Sequence, residues 1–350
     1  MAQSRRRFLV GSAAAAAVGA TSLAHATGAA VGSGSSYSKV AAEIVGLFKP
    51  LPGTKAVKIF APATHNRREF VAELNPALPL FCGSSFKGYV LCEALRQIDS
   101  PNINRELATT ELALDKSVWS LDSSVFNPPK LSGLVTERTT LEAMISHSDN
   151  TGTDMTLKHI GADKVREFIA EIGLHHTRIP NSTRQFLGYI FGADNWETIT
   201  WDEVVALAES SASLAHPPIN DVQTMVSSAD DFVSFYSRAL QGEFFQSAAT
   251  LAPFRAILMI ADAIPRVIPL GATGFGKGGS IDAGGFHALC LAGGMYFPDR
   301  WVYFTTMINW EKDVDTDPAT TAAYAGATAQ ALACPGGLRI VEGDLACLLI

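Results

Sequence analysis

Charge is scarce in this sequence. Asp, Glu, Lys and Arg make up 17% of its 350 residues, against roughly 25% in an ordinary soluble chain. With 47% hydrophobic residues, that balance excludes a disordered chain. It fits one large domain or two interlocked lobes with a sizeable core. Positive charge is the scarcer sign: 27 Lys and Arg stand against 34 Asp and Glu, a net charge of -7. No long basic run occurs in the body of the chain, so nucleic acid is not an expected partner. The eight histidines show no H-E-x-x-H or related spacing, and His175-His176 is a plain adjacent pair. No metal is expected. Internal repeats are absent. Cysteine is sparse and odd in number, at five, so the thiols cannot all pair within one chain. Cys82, Cys92 and Cys290 read as buried free thiols. Cys334 and Cys347 form a candidate bridge in an oxidising compartment. The stretch GATGFGKGG, residues 271–279, nearly spells a phosphate-binding loop. Gly278 stands where Ser or Thr should hold magnesium, and a strand follows instead of a helix. Nucleotide binding is therefore not expected.

The N-terminus carries an export pattern. Ser4-Arg5-Arg6-Arg7-Phe8-Leu9 matches the twin-arginine signal, an Ala-rich stretch follows, and Ala24-His25-Ala26 is an A-x-A cleavage site. The apolar stretch, residues 10–23, is too short and too weakly apolar for a stable membrane anchor. The expectation is a periplasmic or secreted protein with a signal peptide over 1–26 and a Gly/Ser linker over 27–36.

Periodicity changes along the chain. Helical spacing runs through 37–49, and alternation marks strands at 54–62 and 68–74. Helical stretches dominate to about residue 240, with examples at 84–98, 139–147, 153–172 and 227–240. Residues 286–296 and 301–310 read as buried strands joined by a P-D-R turn. An Ala/Thr-rich helix spans 317–333. Strands at both ends and helices between them give an α+β order: an antiparallel sheet flanked by helices, with an inserted all-α lobe. The expected division is an α/β lobe from 37–75 and 215–350, and a helical lobe over 76–214.

Three segments carry chemistry. In LPLFCGSSFKGYV, residues 79–91, Ser84 and Lys87 lie three apart on one helix face. A serine hydroxyl is a poor nucleophile until an adjacent base takes its proton. A lysine can do so once burial and a nearby cation lower its pKa. The pattern is weak alone, because Ser36-Tyr37-Ser38-Lys39 repeats it. The second segment, Ser148-Asp149-Asn150, sits on a turn between two helices. A hydroxyl there can relay a proton, and an amide can hold both a substrate carbonyl and a lysine. The third, Lys277-Gly278-Gly279-Ser280, pairs a cation with glycines. It allows close backbone approach and a positive field for an anion.

Together and in this order, the three segments resemble the class A serine β-lactamases and penicillin-binding proteins, with their S-x-x-K, S-D-N and K-T-G set. CGSSFKGYV is similar to the family's nucleophile helix. LEAMISHSDNTGTDMTLKHIGADKVREFIAEIGL is similar to its S-D-N helix pair over its full length. The likeness runs loosely from about residue 37 to the final helix and is weak between 180 and 265. It implies a β-lactamase/transpeptidase-like fold and a serine acyl hydrolase needing no cofactor. Ser84 would be acylated, and Lys87 would be the base. Ser148 would pass the proton to the leaving nitrogen, and Asn150 would hold the substrate amide. Lys277, Gly279 and Ser280 would bind the substrate, with an oxyanion hole at the N–H groups of Ser84 and Ser280. The partner would be a small-molecule acyl substrate met by a monomer. An esterase, a D,D-peptidase or a non-turnover acylated sensor on the same fold are the alternatives.

Three positions depart from the family pattern. Gly278 replaces the Thr or Ser after the lysine of K-T-G; Ser280 or Thr273 would have to supply that hydroxyl. The family's deacylating Glu falls on Thr183. The nearest acids, Asp194 and Glu197, read as surface charges, and Glu197 reaches the site only if its loop folds back. Where the following strand often carries Arg, this chain has Phe286 and His287. His287 reads as a packed strand residue rather than a ligand.

Overall fold

A computed structural model describes residues 33–210, 213–298, 300–341 and 344–347. The expected signal peptide, residues 1–26, lies outside them. The first helix, α1 (Ser33–Phe48), begins inside the stretch expected to be a linker. It buries Val40, Ile44 and Phe48, one helical face. Strands β1 (Thr54–Ala61), β2 (Phe70–Leu74) and the short β3 (Leu80–Phe81) follow. Helix α2 (Lys87–Gln97) is entered through a 3-10 turn, Gly83–Phe86. The helical region holds α3 (Ile103–Thr109), α4 (Glu137–Ser146), α5 (Asn150–Ile160), α6 (Ala162–Glu171), α7 (Thr183–Ile190) and α8 (Trp201–Ser210). It also holds a small hairpin the sequence pattern hid, β4 (Glu111–Leu114) with β5 (Gly133–Thr136). The chain returns through β6 (Val226–Ser227), α9 (Ala229–Ala239) and α10 (Ala248–Met259). It closes on β7 (Thr273–Ala283), β8 (Phe286–Phe297), β9 (Arg300–Glu311) and α11 (Pro318–Gly337).

The main sheet is antiparallel in the order β2-β1-β9-β8-β7. The N-terminal strands β1 and β2 therefore share one sheet with β7, β8 and β9 from the far end of the fold, and β7 is one of its two edges. Lys58 on β1 pairs across from Thr305 on β9 and reaches Asp230 of α9 at 2.5 Å. That face is covered by α9. The next residue, Thr306, points the other way, with its hydroxyl 2.8 Å from that of Tyr324 on α11. The sheet is thus buried on both faces, and its long strands β8 and β9 are buried almost without interruption. This is the α+β architecture with helices on both sides of the sheet that the sequence pattern predicts.

One difference in the helical region has a simple cause. The periodicity predicts one helix over 153–172, but Gly161 at φ +87° ends α5 and starts α6. Only glycine adopts that backbone at little cost. Among the described residues, no helix is long and apolar enough to cross a membrane.

Aromatic packing fixes α2 to α9, the helix that covers one face of the sheet. Tyr89 stacks on Phe232 at 5.1 Å and meets Phe235 edge-on at 4.7 Å. All three are fully buried. Side chains of this size each contribute about 1.5–3 kcal/mol by burial, before any gain from ring geometry. The approach to α2 is held as firmly. Phe81 N–H donates to Asn309 Oδ1 at 2.8 Å, and Asn309 Nδ2 donates to Phe81 O at 3.0 Å.

Candidate active site

The turn Gly83–Phe86 lies against the edge strand β7. Ser85 Oγ is 3.1 Å from Lys277 O and 3.4 Å from Cys290 O. Gly279 makes the approach possible: a Cβ there would sit 2.1 Å from Cys82 O and 2.6 Å from Ser84 N. Gly83 has φ +50°, and its Cβ would fall 2.8 Å from Ser280 N. The backbone around Ser84 N and that around Ser280 N are thereby packed against each other. Ser84 itself is 7% exposed.

Lys87 follows one turn later and is fully buried. Its Nζ donates to Ser148 O at 2.6 Å and Asn150 Oδ1 at 2.7 Å, and lies 3.3 Å from Ser148 Oγ. Burial, and then the charge of Lys277, push its pKa well below the ordinary lysine value. Asp149, Asp154 and Asp122 oppose that shift. Ser148 turns its carbonyl toward Lys87 from a left-handed backbone, φ +57°. A non-glycine residue in that region stores strain, which is common where a site must be preorganised. Asp149 caps α5 by accepting from Gly152 N–H at 2.9 Å, and its other oxygen accepts from Val125 and Phe126 N–H.

Two spaces that share Asp122 and Ser280 in their linings flank these groups. A cleft of about 370 Å³ is lined by Ser148, Lys277, Gly279, Ser280, Arg266 and Asp122, among others. A smaller annex of about 50 Å³ holds Ser84, Asn150, Thr183, Ser280 and Asp122 between apolar walls such as Phe186 and Phe191. Lys277 is buried, which lowers its pKa to about 8, with Asp262 acting in the opposite sense. All seven sequence-predicted site residues meet here. Six line the spaces, and Lys87 is bonded to two of those six. The rival Ser36-Tyr37-Ser38-Lys39 falls on α1, where Lys39 is exposed and lines neither space.

The departures now have physical accounts. A Cβ on Gly278 would lie 2.7 Å from Ala263 Cβ, so a Thr or Ser does not fit. Ser280 lines the cleft and can replace that hydroxyl. Thr273 cannot: it is four strand residues from Lys277, about 13 Å along β7. Thr183 occupies the annex, but its hydroxyl lies 2.8 Å from Asp154 Oδ1 and 2.9 Å from Ser120 Oγ. Asp194 and Glu197 are exposed and line neither space, so the folded-back loop is excluded. His287 is buried in the strand as expected. It stacks on Trp310 at 5.0 Å, with Nδ1 2.6 Å from Asp282 and Nε2 3.0 Å from Lys312 O.

Two residues escaped the sequence reading. Arg266, on a one-turn 3-10 helix, gives the cleft a second cation beside Lys277. Asp122 lines both spaces. Neither belongs to a spaced motif. The thiols are inert: Cys82, Cys92 and Cys290 are free and buried, and burial raises all three, Cys290 to about 12. Cys334 is held in a disulfide; the side chain of its expected partner, Cys347, lies outside the described residues. Among the described residues, no cluster of His, Cys, Asp or Glu is arranged to hold a metal ion.

Solved structures of similar fold are β-lactamases and a penicillin-binding protein. A β-lactamase from Sphaerobacter thermophilus aligns with a TM-score of 0.64 at 17% identity, over 87% of this chain and 98% of its own. The TLA-3 extended-spectrum β-lactamase aligns at 0.63 and 16%, over 85% and 98%. PBP-A aligns at 0.61 and 16%, over 84% and 94%. Comparison with curated proteins by sequence gave no match. The model of the beta-lactamase enzyme family matches residues 39–308, most of the chain and every residue of the site, and the chain therefore belongs to that family of hydrolases.

Proposed function

We propose that this protein is an exported serine acyl hydrolase that opens β-lactam or related amide bonds through an acyl-enzyme on Ser84. The observation that carries the reading is Lys87: buried, depressed in pKa, one turn from Ser84 and bonded to Ser148 and Asn150. Neutral Lys87 takes the Ser84 proton as Oγ attacks the substrate carbonyl. The developing oxyanion accepts from the backbone N–H groups of Ser84 and Ser280; one such donor is worth roughly 3 kcal/mol at the transition state. Ser148 hands a proton to the leaving nitrogen, and Asn150 holds the substrate amide. Lys277 and Arg266 favour an anionic substrate. The N-terminal segment supports export to the periplasm. A small molecule would be the only partner, met by a monomer without a cofactor.

Thr183 in place of a carboxylate favours a second reading, a penicillin-binding protein or sensor that is acylated and released slowly. Steady-state turnover separates the two. Nitrocefin should be hydrolysed catalytically, and its kcat/KM should fall as pH rises past about 8. Lys277 loses its charge there and with it the attraction for an anion. A neutral ester such as p-nitrophenyl acetate should lack that limb. A single turnover of nitrocefin would favour the slow acceptor, and a shared alkaline limb would take the anion-binding role from Lys277.

A further inference from the structure

A hydrolase of this kind needs a base for the second half-reaction, and Thr183 is not one. Among the carboxylates nearby, Asp154 is fully committed. Its Oδ1 accepts from Thr183 N–H and its Oδ2 from Arg184 N–H. Asp149 caps α5 and also holds Val125 and Phe126. Asp122 is different. It is half-buried, it lines the annex with Ser84, and among the described residues no donor is hydrogen-bonded to its carboxylate.

The chain on either side of Asp122 is anchored to α5. Leu121 O accepts from Asn150 Nδ2 at 3.0 Å. Ser123 Oγ accepts from Thr151 N–H at 2.8 Å and lies 2.7 Å from Thr151 Oγ1. Between these two clamps Asp122 takes a left-handed backbone, φ +59°. A clamped carboxylate with that backbone, lining the same space as the nucleophile, is placed where a functional residue would be. The annex, at about 50 Å³, has room for a few waters at roughly 10–15 Å³ each, and polar groups to hold them.

We propose that Asp122 is the general base that activates water to hydrolyse the Ser84 acyl-enzyme, an inference that rests on the acylation of Ser84 proposed above. Its carboxylate takes a proton from a water in the annex as the water oxygen bonds to the acyl carbon. The carbonyl electrons move to oxygen, held by the N–H groups of Ser84 and Ser280. The tetrahedral intermediate collapses, the C–Oγ bond breaks, and Oγ recovers the proton from Asp122. A carboxylic acid leaves and Asp122 is again a carboxylate. Burial raises its pKa to about 7, against the pull of Lys87, which suits a base working near neutrality. His147, Asp262, Arg266, Lys277, Asp282, Cys290 and Tyr324 are the other charged or titratable groups lining the two spaces, and Asp282, the other carboxylate of the annex, is held by His287 Nδ1 at 2.6 Å.

The test follows intact-protein mass after mixing with benzylpenicillin, for wild type, Asp122→Asn and Asp122→Ala. Wild type should gain and lose the acyl mass. Asp122→Asn should gain it at a similar rate and lose it at least about 10²-fold more slowly. The rise in wild-type release between pH 6 and 8 should vanish in the variant, and formate should partly restore release in Asp122→Ala. Release from Asp122→Asn at the wild-type rate would overturn the proposal and leave Ser84 acylation standing. So would Asp122→Asn and Asp122→Ala proteins that fold, by their melting curves, yet never acylate. No adduct on wild type, even with rapid quenching, would remove the acyl-enzyme reading and this proposal together.

Discussion

Ser84→Ala lowers nitrocefin turnover by about 10⁴-fold or more, on the scale seen when a serine hydrolase loses its nucleophile. The size follows from the geometry. Ser84 is the only hydroxyl on the turn that lines the annex, and Ser85 is spent on Lys277 O and Cys290 O. No other side chain can take its place over the backbone nitrogens of Ser84 and Ser280. The variant should melt as wild type does, because Ser84 Oγ holds no structural hydrogen bond among the described residues. Substrate binding should survive, since Lys277, Arg266 and Asn150 are untouched. The measurement is steady-state kinetics beside a melting curve. A turnover loss below tenfold would move the nucleophile elsewhere.

Lys87→Met should slow acylation by about 10²-fold or more, the usual contribution of a positioned base. It should also leave the protein as stable as wild type, or more so. Among the described residues no carboxylate is hydrogen-bonded to Lys87, and burial works against its charge more than Asp149, Asp154 and Asp122 favour it. Replacing a buried polar amine with an apolar chain of similar length removes the cost of keeping that group out of water. Ser148 O and Asn150 Oδ1 lose a donor, which offsets part of the gain. A site that trades stability for activity shows this opposition between rate and melting temperature. Stopped-flow acylation and thermal melts measure both. An unchanged acylation rate would remove Lys87 as the base.

Much of this was legible in the sequence. The two long strands over 286–297 and 300–311 and the buried face of α1 follow from residue period alone. Ser84, Lys87, Ser148 and Asn150 were legible because three short segments, each weak alone, together and in order resemble the motif set of one family. The fit of Gly278 was not, because its reason is a neighbour, Ala263, fifteen residues earlier in the chain. Asp122 and Arg266 were hidden as well. Asp122 reaches the site from an irregular segment whose path is set by the hydrogen bonds of Leu121 and Ser123 to α5, and Arg266 from a single 3-10 turn too short to show a period. The β4–β5 hairpin was also missed. Its strands are only four residues long, and β5 is largely exposed, so alternation had little length in which to show.

The central claim is that substrate becomes covalently bound to Ser84. Peptide mapping by mass spectrometry, after acid quenching of the wild-type protein with benzylpenicillin, tests it most directly. The account predicts one acyl group on the peptide that contains Cys82-Gly83-Ser84-Ser85-Phe86-Lys87, placed on Ser84 by fragmentation. An acyl group on any other residue, or steady hydrolysis with no covalent species at any quench time, would contradict it.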